Sequence, residues 1–136
     1  MLVVDAGPLV AAAGTHDRDH RRCVDFLSQS TQQLVVPALV VTEVAYFLGT
    51  IGATAELAFA HSLRDGELHV EPVEPSDWVR IAELVEQYAD LPLGITDASV
   101  VATCERLGAR TLATLDRRHF SVVRPRHCEA LDLVPA

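Results

Sequence analysis

Four of the 19 acidic residues are set apart by their position in the chain. Glu43 has Leu39, Val40, Tyr46 and Phe47 three and four residues away, and Asp97 has Leu93, Gly94, Val100 and Val101 at the same spacings. Neither has a cation placed to pair with it along a helix. A carboxylate on an apolar face is costly unless something cationic meets it. Glu83 shows the opposite pattern, with Val79, Arg80, Glu86 and Gln87 around it, as on a solvated face. Glu56 and Glu105 also have apolar neighbours, so surroundings alone do not select, and placement has to decide. Asp5 ends the apolar run Leu2-Val3-Val4, and Asp116 follows Leu112-Ala113-Thr114 by two residues. In an open parallel sheet, sites form beyond the carboxyl ends of the strands, where the strand order reverses. Asp97 falls in the first turn of a helix, from which it can be presented to the same edge.

If Asp5, Glu43, Asp97 and Asp116 converge, their charges repel and some take up protons unless a cation is supplied. A hard dication such as Mg²⁺ resolves this, because it takes oxygen ligands and keeps several waters. One or two such ions can activate a water and stabilise the leaving oxygen of a phosphodiester. Competing chemistries lack their parts. His16 and His20 lie four apart but sit among Asp17, Arg18, Asp19 and Arg21, a solvated face. Cys23, Cys104 and Cys128 are odd in number and widely spaced, which excludes a disulfide framework or a zinc knuckle and leaves inert thiols. There is no GxSxG element. All 11 cations are Arg. Without a Lys there is no Walker-type phosphate loop. Receiver domains and haloacid-dehalogenase-type phosphatases, which use a Lys beside their aspartates, are excluded on the same ground.

The elements that must position these residues read as alternating short apolar strands and helices. At 136 residues the chain is one domain, 1–136, long enough to bury a core. Strands are expected at Leu2–Asp5, Leu34–Val36, Leu68–Val70, Leu112–Thr114 and Ser121–Arg124, with a further extended piece at Leu131–Leu133. Helices are expected from Pro8, over Asp17–Ser28, from Pro37 to about Thr50, over Ala53–Arg64, from Ser76, and from Thr96 to Leu107. Ser76 and Thr96 are read as N-caps, and Gly108 as the residue that ends the last of these helices. Trp78, Ile81, Ala82, Val85 and Tyr88 share one helical face and are expected to point inward. Continuous apolar strands between helices imply an α/β fold with a parallel sheet covered on both faces.

Net charge is −8, yet the stretch from Arg106 to Arg126 holds six Arg and one acid. An acidic protein with one basic end can meet a polyanion there. No apolar run is long enough to span a bilayer, and Met1-Leu2-Val3-Val4 meets Asp5 at once, so a cytoplasmic location and no membrane contact are expected.

These residues bring the chain to a family. It resembles PIN-domain ribonucleases, in particular the VapC toxins of toxin–antitoxin systems, from Leu2 to about Val134. Val4-Asp5-Ala6-Gly7-Pro8-Leu9 resembles the family's opening, and Val41-Thr42-Glu43-Val44 its helix-borne acid. Leu93-Gly94-Ile95-Thr96-Asp97-Ala98 resembles its Asp-Ala helix start. Leu112-Ala113-Thr114-Leu115-Asp116-Arg117-Arg118-His119-Phe120 resembles its Thr-x-Asp-x-x-x-Phe element. Gly7 departs from the family, in which many members carry Ser or Thr, and Asp90 is a further acid before the Asp-Ala element.

The resemblance implies a three-layer α/β/α PIN-like fold with a parallel sheet in the order 3-2-1-4-5. It implies a metal-dependent endoribonuclease, the toxin of a type II toxin–antitoxin system, cutting structured RNA such as tRNA or rRNA by metal-activated water. The catalytic set is then Asp5, Glu43, Asp97 and Asp116, with Asp5, Asp97 and Asp116 holding Mg²⁺ or Mn²⁺ and Glu43 orienting the water. Thr114 supplies a hydroxyl beside them. Arg117, Arg118, Arg124 and Arg126 are candidates for phosphate contacts, which position RNA without reading its sequence. A VapB-type antitoxin and a homodimer are the implied partners. The alternative is a non-catalytic α/β module that binds RNA or protein through its Arg-rich end.

Overall fold

The computed structural model describes all residues from Met1 to Ala136. Five short strands form one sheet: β1 (Leu2–Val4), β2 (Leu34–Pro37), β3 (Leu68–Glu71), β4 (Thr111–Ala113) and β5 (Asp132–Val134). Every pairing is parallel, and the order is β3-β2-β1-β4-β5. The helices α1 (Ala6–Ala13), α2 (His20–Gln29), α3 (Ala38–Ile51), α4 (Ala53–Arg64), α5 (Pro75–Gln87), α6 (Ile95–Leu107) and α7 (Arg117–Phe120) flank it. Parallel strands need such crossovers and are buried by them. Leu2, Val3, Val4, Val35, Val36, Leu112 and Ala113 are accordingly all but inaccessible to solvent. A single apolar cluster of 25 residues joins these strands to Val40, Val44, Leu48, Leu84, Val100, Val101 and Phe120 from the helices.

The chain leaves β1 towards β2 and β3, then returns to place β4 on the other side of β1. The strand order therefore reverses between β1 and β4, whose carboxyl ends lie side by side. Register fixes this: Val3 pairs with Leu112 and Val4 with Ala113, and the Asp5 N–H continues the ladder to Ala113 O at 2.9 Å.

Several local expectations are corrected. Ser121–Arg124 is not a strand. Asp116 caps the short helix α7 ahead of it, and β5 forms at Asp132–Val134, beside β4. The N-cap of α5 is Glu74, not Ser76, because Pro75 takes the first helical position and Asp77 Oδ2 accepts the Glu74 N–H at 2.9 Å. The N-cap of α6 is Gly94, not Thr96, so the helix starts one residue before Thr96. α2 begins at His20, with Asp17 to Asp19 in the turn before it. The buried face of α5 is Asp77, Ile81 and Leu84, while Trp78 and Ala82 face solvent. Gly108 does end α6 in the left-handed region, at φ +70°.

Ion pairs fasten α5 to α6, the helix that carries Asp97. Arg80 grips Glu105 with two bonds, Nε to Oε1 at 2.8 Å and an Nη2 bond to Oε2 at 3.0 Å. Burial would raise the Glu105 carboxyl, but Arg80 and the Arg126 N–H overcome it and hold the group below its usual range. One turn on, Arg106 Nε meets Asp77 Oδ1 at 3.0 Å.

Candidate active site

The four carboxylates singled out in the sequence lie near the carboxyl edge of the sheet. They are close enough for charge to act between Asp5 and Asp97, Asp5 and Glu43, Glu43 and Asp97, and Asp97 and Asp116, while only Asp97 and Asp116 of the four share a close group of donor atoms. Asp5 follows β1 and is buried, at 7% exposure. Asp116 follows β4 and is half-buried; Asp97 is half-buried in the first turn of α6; Glu43 is on the exposed side of α3. The elements explain each placement. β1 and β4 are central and end together, so the residues just after them share one rim. Asp97 occupies the third position of α6, where the nearby Gly94 N–H favours its charged form.

Thr114 ties two of the acids together. Its Oγ1 donates to Asp5 Oδ2 at 2.9 Å and accepts the Asp116 N–H at 3.0 Å. Both polar groups of a buried segment are satisfied by one hydroxyl.

The electrostatics are those of crowded like charges. Burial pushes Asp5 up to about 6; the Ala6 N–H and Thr114 hydroxyl oppose the rise, and the charges of Asp97 and Glu43 add to it. Loss of water raises Asp97 as well, with His119 pulling it back and Asp116 pushing it up. Glu43 is raised by partial loss of water and then by Asp97. No Arg lies within salt-bridge distance of any of the four. A set of aspartate and glutamate oxygens with no Arg beside it, and His119 as its one neighbouring basic group, is the donor chemistry of a hard dication.

His119 also belongs to this site, although no sequence argument gave it a role. Its N–H donates to Asp116 Oδ1 at 3.0 Å, and its Nδ1 lies 2.8 Å from Asp116 Oδ2. Donor atoms of Asp97, Asp116 and His119 all lie within 4.8 Å of one another. The available signal was the spacing Asp-x-x-His after a strand, which lets a capping acid meet the third residue of the helix it caps.

The other candidates separate. Asp90 is exposed in the turn after α5 and is not among the charges acting on Asp5, Glu43 or Asp97. Arg117 donates to Leu133 O at 3.1 Å and Pro135 O at 2.9 Å, tying α7 to the end of the chain. Arg124 donates to Ser121 O at 2.9 Å, and Arg126 pairs with Glu83 at 2.6 Å. Arg118 is exposed and carries no such tie. At Gly7 a Cβ would lie 3.2 Å from Leu115 Cβ, so the space that a Ser or Thr would need is taken by Leu115.

Comparison with known proteins agrees with this geometry. The PIN domain family profile matches residues 2–124. Ribonuclease VapC26 of Mycobacterium tuberculosis is 34% identical over 125 residues, which is 91% of this chain and 93% of that protein. Among solved structures, the Mycobacterium tuberculosis toxin VapC20, described as cleaving the sarcin–ricin loop, superposes with a TM-score of 0.76 at 18% identity, over 82% of this chain and 87% of that one. FitAcB of Neisseria gonorrhoeae superposes at 0.70 and 15% identity, over 99% and 97% of the two chains. VapBC2 of Rickettsia felis, bound to a promoter DNA fragment, does so at 0.66 and 15%, over 98% and 96%. The switch between β1 and β4, the acids around it and the matched sequence agree: the chain belongs to the PIN domain family, among the VapC ribonucleases.

Proposed function

We propose that this chain is a metal-dependent endoribonuclease, the toxin of a VapBC-type pair, cutting a structured RNA such as tRNA or rRNA. The observation that carries the reading is the gathering of Asp5, Glu43, Asp97 and Asp116 near one sheet edge with no Arg beside them. Asp5, Asp97 and Asp116 would hold Mg²⁺ or Mn²⁺, which supplies charge neutralisation and a more acidic water when bound. Glu43, the most solvent-facing of the four, orients the attacking water and takes its proton. Thr114 keeps Asp5 and Asp116 in fixed relation, and Arg118 is free to meet phosphate.

The partners follow the same reading. An antitoxin like the one in VapBC2, and a second copy of the chain, need apolar surface. Tyr46, Phe47, Ile51 and Leu57 on α3 and α4, and Trp78, Val79 and Ile95 on α5 and α6, are exposed. A groove of about 550 Å³ lies between α1, α3 and α4, lined by Leu9, Ala12, Leu48, Ile51 and Phe59 among others. Apolar exposure of this kind marks contact surface. No helix is long and apolar enough to cross a membrane, and a cytoplasmic site of action fits an RNA substrate.

The test is cleavage of total cellular RNA by the purified chain, with Mg²⁺ or Mn²⁺ and with EDTA, beside Asp97→Asn. Discrete fragments that require both metal and Asp97 are expected. Intact RNA bound with a steep salt dependence would instead support a binding module without chemistry.

A further inference from the structure

We propose that Tyr46 and Phe47 form a stacking platform for an unpaired nucleobase beside the bond that is cut, so that cleavage falls in a loop, bulge or single strand. The inference rests on the nuclease reading above and names the part of the RNA that the site takes. α3 buries Val40, Val44 and Leu48. Its outer side carries Thr42, Glu43, Tyr46 and Phe47, all exposed. Tyr46, at 71%, is the most exposed large apolar side chain of the molecule. Glu43 is the only charged residue among the 14 of this helix. The outer face of a surface helix is ordinarily polar or charged, so an aromatic pair there needs a reason. The groove between α1, α3 and α4 does not supply it: Leu48 and Ile51 line that groove, and Tyr46 and Phe47 do not.

Position supplies the reason. Residues three and four apart share a helix face, so both rings stand one turn from Glu43, about 5 Å along the axis. Glu43 is near enough to Asp97 for its charge to be felt there. A phosphate held at these acids has its attached base within reach of the pair. The two rings meet edge to face, with centroids 5.5 Å apart and planes at 77°. That contact steadies both rings. It covers at most one face of each and leaves flat surface for a base.

Charge and chemistry choose the occupant. The acids repel an RNA backbone, and α3 has no Arg to offset them. Stacking adds affinity without charge, and every base has a face for it. A protein seated on the rings would also cover Glu43, and a carboxylate shut from water without a cation is costly. A base needs one ring face and leaves Glu43 open to the phosphate. Bases that can be splayed onto aromatic rings come from unpaired stretches of RNA.

The binding test uses Asp97→Asn as the parent, so that the RNA stays intact. The probe is a short unstructured RNA with a fluorescent purine analogue at one position, moved along the strand in a series, whose emission falls on stacking. Tyr46→Leu and Phe47→Leu keep apolar bulk and remove the flat face; melting temperature and sedimentation check fold and association. Each should weaken binding roughly tenfold and relieve the quenching. The weakening should be the same at low and high salt, because no counterion is involved. Tyr46→Trp should bind at least as well as the parent. With Asp97 restored, both Leu variants should cut total cellular RNA more slowly, and Tyr46→Trp should not. Leu variants that bind and cut as well as their parents would overturn the proposal, as would a parent that never quenches the probe. A loss that fades at high salt, or one that comes with a change in sedimentation, would overturn it in favour of an electrostatic effect or of contact between copies. Wild type that leaves total RNA whole, no different from Asp97→Asn, would remove the nuclease reading and this proposal together.

Discussion

Thr114 gives its hydroxyl proton to Asp5 across the β1–β4 pair, with Oγ1 2.9 Å from Oδ2. The two residues lie 109 positions apart in the chain, and the Thr114 oxygen passes the connection on to the Asp116 N–H. Thr114→Val keeps the shape and removes the hydroxyl. It should leave a buried N–H without a partner, at about 1–3 kcal/mol, and lower cleavage or metal affinity by roughly 10–100-fold. Thr114→Ser should retain both. Urea unfolding and RNA cleavage on the same samples check this. A Val variant as active as wild type would show that the bond is not needed to hold the acids.

Metal-free stability should fall as pH rises. Burial pushes Asp5 up to about 6, against about 3.9 in the unfolded chain. Between those values the folded state binds the extra proton, so unfolding releases it and stability declines with pH. The cost is absent below about pH 4 and complete above about pH 6, on the order of 2–3 kcal/mol from this group. Asp97 and Glu43 are raised too and add to the same direction. In EDTA, Asp5→Asn should therefore be the more stable protein at pH 7.5 and little different at pH 4. A divalent ion should stabilise wild type more than the variant at pH 7.5. Denaturant melts at the two pH values, with and without metal, measure each difference.

Much of the site was legible because topology and composition point the same way. Apolar strands that end in Asp5 and near Asp116 mark the switch point of a parallel sheet, and β1 and β4 do lie side by side. Glu43 and Asp97 could be told from Glu83 by their apolar neighbours, since charge on such a face needs a reason. Glu105 passed the same filter for a different reason: Arg80, 25 residues away in sequence, reaches it across the α5–α6 packing. Local spacing cannot register a partner brought by tertiary structure. The Arg-rich stretch misleads in the same way, because Arg117, Arg124 and Arg126 spend their donors on carbonyls and acids of the fold. His119 was hidden because no helix was expected between the strands at Leu112–Thr114 and Ser121–Arg124; the cap of α7 brings its ring to Asp116.

Gly7 should resist substitution through Leu115. An added Cβ meets Leu115 Cβ at 3.2 Å and its Cγ at 3.4 Å, and Leu115 lies between Thr114 and Asp116. On helix propensity alone, Gly7→Ala would gain roughly 0.5–1 kcal/mol. Here that gain should be cancelled, with cleavage reduced as Leu115 displaces its neighbours. Adding Leu115→Ala removes the Cγ and Cδ1 contacts and should restore part of the activity. Melting temperature and cleavage rate of the two single variants and the double variant decide it; additive effects would mean that the two residues do not act on each other.

Arg117 and Arg118 should behave differently although they are adjacent. Arg117 donates to Leu133 O and Pro135 O and so holds the end of the chain against α7. Arg117→Ala should cost stability, about 1 kcal/mol, and leave the salt dependence of RNA binding nearly unchanged. Arg118 is exposed with its guanidinium unengaged by the fold. Arg118→Ala should leave the melting temperature where it was and weaken RNA binding, lowering the slope of log affinity against log salt by about 1. Binding is measured with Asp97→Asn as the parent, so that the RNA stays intact during the salt series. An unchanged slope for Arg118→Ala, or a changed one for Arg117→Ala, would reverse the assignment of the basic end.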